Sequence, residues 1–490
     1  VGRRRDRHGL ELSGLGAGPG AEEALAAYER AVDALLFFRG DVADTVTLMR
    51  QAAPGAPMGQ VFAAYLGVLG TEEKQARSAR EELARFRAEA DHGRFTERER
   101  AHLQAASVWL AGDLRRAGEL LREVSVRWPG DALALAVGHQ NDFFSGDAAS
   151  LRDRVAGALT AWDEQDPHHG PLLGMFGFGL EESGHYEQAL ETALAAVERN
   201  PHDVWAVHAV VHCHEMLGRF AEGIRYLDAR VADWGAGNMM AVHNWWHYAL
   251  YALESGDVHR ALEIYDAAIH DPESAGVALE LLDAAALLWR LYLDGGTASA
   301  AVGDRWEVLA DAWAARADGP HYAFNDTHAV MAYLGAGRLR DAEELVAARA
   351  EWAARPHPGV TNHEMTARIG LPVCRALIAF AREQYERTVE LLLPVRGRLQ
   401  TFGGSHAQRD AVQRTLVEAA LRARRTGLAR TLLSERLGLR PTSPYNWLGQ
   451  ARLADQLGRA AMAVTAREKA SRLAAAGARA LADRPSGAGV

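Results

Sequence analysis

A glycine recurs along this chain at a near-constant interval: Gly112, Gly146, Gly184, Gly218 and Gly256 are separated by 34, 38, 34 and 38 residues. Each lies between stretches rich in Ala, Leu, Glu and Arg whose apolar residues return every three to four positions, the pattern of an amphipathic helix. A small residue follows several of them at a fixed distance, since Gly112 precedes Ala117, Gly184 precedes Ala189, Gly256 precedes Ala261 and Gly337 precedes Ala342. The glycine permits a tight turn and the alanine lets two paired helices approach. A second break closes a pair, as at Trp128-Pro129-Gly130-Asp131 and Asn200-Pro201-His202-Asp203. Helix signals run from Ala21 to about Ala475 with almost no strand signal, so the chain is predicted to be all-α.

The interval is close to the 34-residue tetratricopeptide period, with Gly184 to Pro201 the best single match. Tetratricopeptide-like hairpins stack into a right-handed superhelix, an α-solenoid with a concave inner face. The predicted division is an N-terminal extension over 1–20, one solenoid of divergent repeats over 21–475, and a flexible tail over 476–490. Gly14 to Gly20 and the Ala/Gly/Ser/Pro composition after Ala475 are read as frayed ends. The repeats degrade in the second half, where Gly295 to Ala317 and Arg355 to Gly370 read as irregular connections. Pro356, Pro358 and Gly359 mark a hinge or a loop folded over the concave face.

The 490 residues carry a net charge of −10 and two cysteines, Cys213 and Cys374. Such a balance offers no field for nucleic acid or anionic lipid, so neither a nucleic-acid nor a membrane partner is expected. Two cysteines make no disulfide framework. The N-terminus lacks an apolar leader core and no apolar run reaches about 18 residues, so a soluble, cytoplasmic protein is expected.

Histidines gather where a plain scaffold has little use for them. His208, His212 and Glu215 fall on one helical face, and His243 and His247 on another, because residues three or four apart share a side of a helix. Two imidazoles one turn apart present nitrogens to one ion, and a carboxylate beside them can be ligand, orienter or base. Packed histidines bonded to their neighbours are the structural alternative. Trp245 and Trp246 stand beside the second pair, with Trp246 read as core and Trp245 as core or pocket wall. His214 points away from its neighbours' face, and Cys213 is read as packing.

A third group is Phe324-Asn325-Asp326-Thr327-His328, in which Asp326 reads equally as a helix cap or as a ligand or base. In the fourth, Gly403-Gly404-Ser405-His406-Ala407-Gln408-Arg409-Asp410, two glycines and a serine open a helix whose free N–H groups suit an anion. Arg409 either clamps a carboxylate or phosphate, or joins Asp410 in holding neighbouring repeats together. No phosphate-cradling loop, dinucleotide fingerprint or nucleophile elbow is present, so no nucleotide cofactor is expected.

Taken together these strings resemble the tetratricopeptide repeat protein 38-like family. The likeness runs over most of the chain, through Gly9 to Ser13, His208 to Arg219, His243-Asn244-Trp245-Trp246-His247, Phe324 to His328, Gly370-Leu371-Pro372, Gly403 to Asp410, and Ser434 to Pro441. It implies a divergent repeat superhelix and places the family pattern on His208, His212, Glu215, His243, His247, Asp326, His328, Gln408, Arg409 and Asp410. No general activity comes with it.

The expectation is an enzyme whose pocket lies in the concavity and takes a polar or anionic small molecule. His208, His212, Glu215, His243, His247, Asp326 and His328 are its catalytic candidates, and Trp245, Asn325, Gln408, Arg409 and Asp410 its substrate contacts. A divalent metal such as zinc would sit on His208, His212, His247 and His328; without one, the histidines act as acid and base. Hydrolysis, elimination and rearrangement all suit such a site. The rival is an interaction scaffold holding a peptide or partner helix in an open groove.

Overall fold

The computed structural model describes residues 3–271, 276–316 and 319–483. The turn glycines do what the spacing asks of them. Gly112, Gly146, Gly184, Gly218 and Gly256 all have φ between 69° and 95°, a conformation that other residues adopt at a cost. Each separates the two helices of a pair: Glu97–Leu110 from Leu114–Arg127, Ala132–Ser145 from Ala148–Leu159, His169–Glu182 from Tyr186–Arg199, Val204–Leu217 from Phe220–Asp228, and Ala241–Glu254 from Val258–Ile264.

Asp113, Asp131, Asp147, Asp203 and Asp257 start the next helix by accepting a backbone N–H three residues on. Ala117, Ala189, Ala261 and Ala342 are fully buried where the paired helices meet. The result is an all-α superhelical repeat fold. Among the described residues the one ladder is a short hairpin, Arg4–Arg5 against Glu11–Leu12.

Both ends are built in. Ser13 is buried, and its Oγ and backbone N–H each donate to Glu99 at 2.7 Å. Ser13 thereby ties the N-terminal segment to the body of the fold. The last helix, Ala460–Ala482, continues past the predicted end of order and packs on Phe220–Asp228, with Gly477 against Ser255. Residues 484–490 of the predicted tail lie outside the described residues.

The second half turns back onto the first. Thr361, after the Pro356–Gly359 loop, donates its N–H to the Gly112 carbonyl at 2.9 Å and accepts from Leu114 N–H at 3.0 Å. Tyr322 Oη reaches Phe144 O at 3.3 Å, His406 N–H reaches Glu182 Oε1 at 2.7 Å, and Thr442 Oγ1 reaches Gly218 O at 2.8 Å. Side chains from distant repeats thus meet inside a shared core. The stretch read as irregular over 295–317 holds two helices, Gly296–Ala300 and Arg305–Ala315.

Candidate functional site

Two first helices of neighbouring repeats, Val204–Leu217 and Ala241–Glu254, lie side by side and carry the four central histidines. One ring nitrogen from each of His208, His212, His243 and His247 can be chosen so that all four lie within 4.8 Å of one another. The six ring-centroid separations run from 4.4 to 6.4 Å. Four imidazoles on one tetrahedral ion at about 2.1 Å would have centroids roughly 5 Å apart, so the set needs only small adjustment to close on a cation.

The outer nitrogens of three rings meet carboxylates. His247 Nδ1 lies 2.8 Å from Glu215 Oε2, His243 Nδ1 lies 2.5 Å from Asp283 Oδ2, and His212 Nδ1 lies 3.4 Å from Glu181 Oε2. A carboxylate behind an imidazole fixes its tautomer and sends the other nitrogen's lone pair inward. Both nitrogens of His208 and of His212, and Nε2 of His247, are buried without a hydrogen-bond partner, the His212–Glu181 approach being an ion pair. Burial, reinforced by neighbouring imidazoles, pushes His208 and His247 well below the usual histidine range, so both are neutral lone-pair donors at neutral pH. Burial also opposes charge on His212, but Glu181 outweighs it and raises His212 above the usual value. His243 alone keeps some exposure, 17 % of its side chain.

Aromatic rings wall the centre. Phe178 packs on His208 and His212 at 5.0 and 5.2 Å, and Trp246 lies flat against His243 at 5.2 Å. Trp245 turns to the other side, bonded through Nε1 to Gly235 O at 2.9 Å and packed on Trp234 and Tyr248. The pocket-wall role expected of Trp245 belongs to Trp246, because adjacent helical residues point about 100° apart.

Other expected residues are placed differently. His328 Nδ1 bonds the Phe324 carbonyl at 2.8 Å, and His328 is outside the set of converging donors; His243 takes the fourth place. Asp326 holds Arg349 at 2.9 Å and lines a separate cleft with Asn325, whose Nδ2 donates to Thr71 O and Oγ1. A carboxylate committed to a guanidinium on that side cannot serve the histidines. It is not the N-cap, a position held by Tyr322.

Gln408 is not a substrate contact in this arrangement: its Oε1 accepts from Ser405 N–H at 3.0 Å and its Nε2 donates to Asp283 Oδ1 at 3.1 Å. It thereby orients the carboxylate that orients His243. The helix start at Ser405 is already met by protein groups, with Glu182 accepting from His406 N–H and from Arg409 Nη2 at 3.1 Å. Arg409 also bonds the Gly404 carbonyl. Asp410 is buried among Arg436 and Arg414, both at 2.7 Å, with Arg440 at 3.8 Å. Arg409 and Asp410 thus hold repeats together, one of the two roles their spacing allowed.

Asp283, Glu181, Glu182 and Arg290 were missed. An Asp inside the apolar run of the helix Ala278–Asp294 is a signal that could have found Asp283. Glu181 and Glu182 resemble ordinary surface glutamates in sequence, yet both are buried. Arg290, fully buried, bonds the Ala286 and Ala407 carbonyls at 2.6 Å and lies over Trp246.

No family model matches this chain. Among solved structures it is similar to the human IFIT1 dimer with m7Gppp-AAAA, at 13% identity over 94% of this chain and 96% of that one, with a TM-score of 0.41. It is also similar to the APC/C hetero-tetramer Cut9-Hcn1, at 12% identity over 95% of this chain and 84% of that one, with a TM-score of 0.43. The chain is an all-α superhelical repeat protein. These likenesses extend to architecture alone. No helix among the described residues is long and apolar enough to cross a membrane.

Proposed function

We propose that this protein is an enzyme whose centre is a divalent metal held by His208, His212, His243 and His247, acting on a polar or anionic small molecule. The observation that carries it is the convergence of four imidazoles, three of them buried, with carboxylates behind the outer nitrogens of His212, His243 and His247. Unpartnered buried nitrogens cost free energy, which supports reading the set as a cation site. When bound, such a cation supplies Lewis acidity.

The chain's own residues do the rest. Glu215, Asp283 and Glu181 hold the imidazoles, Phe178 and Trp246 keep bulk water away, and His243 is the partly open face. A cleft of about 330 Å³ lined by Glu182, His406 and Arg409, a size that suits a small molecule, lies beyond Glu181, the carboxylate that faces His212. The early and late repeats touch across the superhelix, which favours an enclosed site over a groove along its length. The strings that carry the likeness to tetratricopeptide repeat protein 38-like proteins supply His208, His212, His243, His247 and the Gln408 support, and we place the chain with that family on this ground.

Elemental analysis of tag-free protein, beside His212→Ala and His247→Ala purified identically, tests the reading. Near-stoichiometric zinc or another first-row divalent metal, lost in both variants while the helical circular dichroism is kept, is expected. Wild-type protein that neither carries such a metal nor takes up added Zn²⁺ would sink it.

A further inference from the structure

Behind His212 lies a second group of donors. We infer that Glu181, Glu182 and His406 form a separate cation position at the floor of the cleft, suited to a harder divalent ion such as Mn²⁺. One donor atom from each of the three lies within 4.8 Å of the others. Glu181 Oε1 is 3.7 Å and Glu182 Oε1 3.4 Å from His406 Nδ1.

The independent observation is Glu181 itself. Its side chain is 0% exposed, and neither carboxylate oxygen accepts a hydrogen bond. His406 Nδ1, buried at the atom level, likewise has no hydrogen-bond partner. A buried carboxylate with no donor on either oxygen is expensive unless a cation meets it.

The local charge balance leaves room for one. Glu181 and Glu182 bring two negative charges side by side at the end of His169–Glu182, and Arg409 answers Glu182 at 3.1 Å. Glu182 keeps spare lone pairs beyond its bonds to His406 N–H and Arg409, because a carboxylate has about four acceptor sites.

The donor chemistry separates this position from the four-histidine centre. Two carboxylates and one imidazole favour ions that take oxygen ligands and keep waters, whereas four imidazoles favour borderline-soft ions such as zinc. Waters have a route, since Glu182 and His406 line the 330 Å³ cleft and the His406 side chain is a third exposed. The position does not require the neighbouring centre to be filled, but Glu181 faces His212 as well, so the two would sense each other.

The test titrates Mn²⁺ into the chelator-treated 490-residue protein reloaded with Zn²⁺, reading free Mn²⁺ by electron paramagnetic resonance. One further equivalent of Mn²⁺ is expected on the wild type. His406→Ala and Glu182→Gln should each weaken it at least tenfold while retaining one zinc. His247→Ala should lose zinc and still take Mn²⁺. A wild type that binds no Mn²⁺ at millimolar concentration, or binding unchanged in both His406→Ala and Glu182→Gln, overturns the inference. Loss of zinc alone counts against the four-histidine reading and leaves this position standing. Should one variant fail to fold, the other decides.

Discussion

Glu215 Oε2 stands 2.8 Å from His247 Nδ1 with both side chains buried, joining two first helices across 32 residues of chain. The pairing makes Glu215 the group that sets which nitrogen of His247 faces inward. Glu215→Gln keeps the shape but replaces the carboxyl that meets His247 Nδ1 with an amide. Zinc affinity should fall by about 10- to 100-fold, the usual cost of losing such a support. Competition against a chromophoric chelator measures it, and an unchanged affinity would show that Glu215 has no part in the centre.

A second expectation concerns acid stability. Burial holds His139 at about 3 and His328 at about 4, against an unfolded value near 6.5. Between those values the unfolded chain binds protons at these two positions that the folded chain does not, so their contribution to stability falls as pH drops from about 7 toward 4. His139→Phe keeps an aromatic ring against Phe178 and Trp205 and removes one such group. Its midpoint of thermal unfolding should decline less steeply over that window than the wild type's, as followed by circular dichroism.

How much of this could be read beforehand depends on range. Gly112 with Asp113 and Gly146 with Asp147 mark turns and caps through contacts within a few residues, so they are plain in sequence. His208 and His212 share a face for an equally local reason, and His243 follows one repeat later on the equivalent helix. Which of Trp245 and Trp246 meets the histidines depends on how Ala241–Glu254 is rotated, which packing alone decides. Asp283 and Glu182 are hidden for a different reason. Their partners lie on other repeats, 40 residues from Asp283 to His243 and 224 from Glu182 to His406, and no period records such a closure.

Asp410 gives the sharpest test of the buried ion network. It accepts from Arg436 Nη1 and Arg414 Nε at 2.7 Å, and although burial opposes its charge, these guanidiniums hold it well below the usual carboxylate range. Its contribution is therefore present above an unfolded value near 3.9 and is lost as pH falls through the lower folded value. Asp410→Asn strands several buried cations and should cost about 3–5 kcal/mol in denaturant unfolding. Glu435→Ala, breaking the exposed pair with Arg396, should cost under about 1 kcal/mol. Equal losses in the two variants would refute the network's role.

The closure between early and late repeats rests on backbone that only glycine supplies. Gly404 has φ of 74°, and a Cβ there would overlap the Phe324 ring, which itself packs on His328 at 4.6 Å. Gly404→Ala must bear both the left-handed conformation and the displacement of that ring, together about 2–3 kcal/mol. Gly427 is the contrast: it sits inside Thr426–Leu439 with open space around it, and Gly427→Ala should stabilise by about 0.4–1 kcal/mol. Hydrogen exchange locates the damage. Amides around 403–410 should exchange faster in Gly404→Ala, because the strain falls where this helix start meets Glu182, whereas a uniform change along the chain would mean that the closure is not what Gly404 protects.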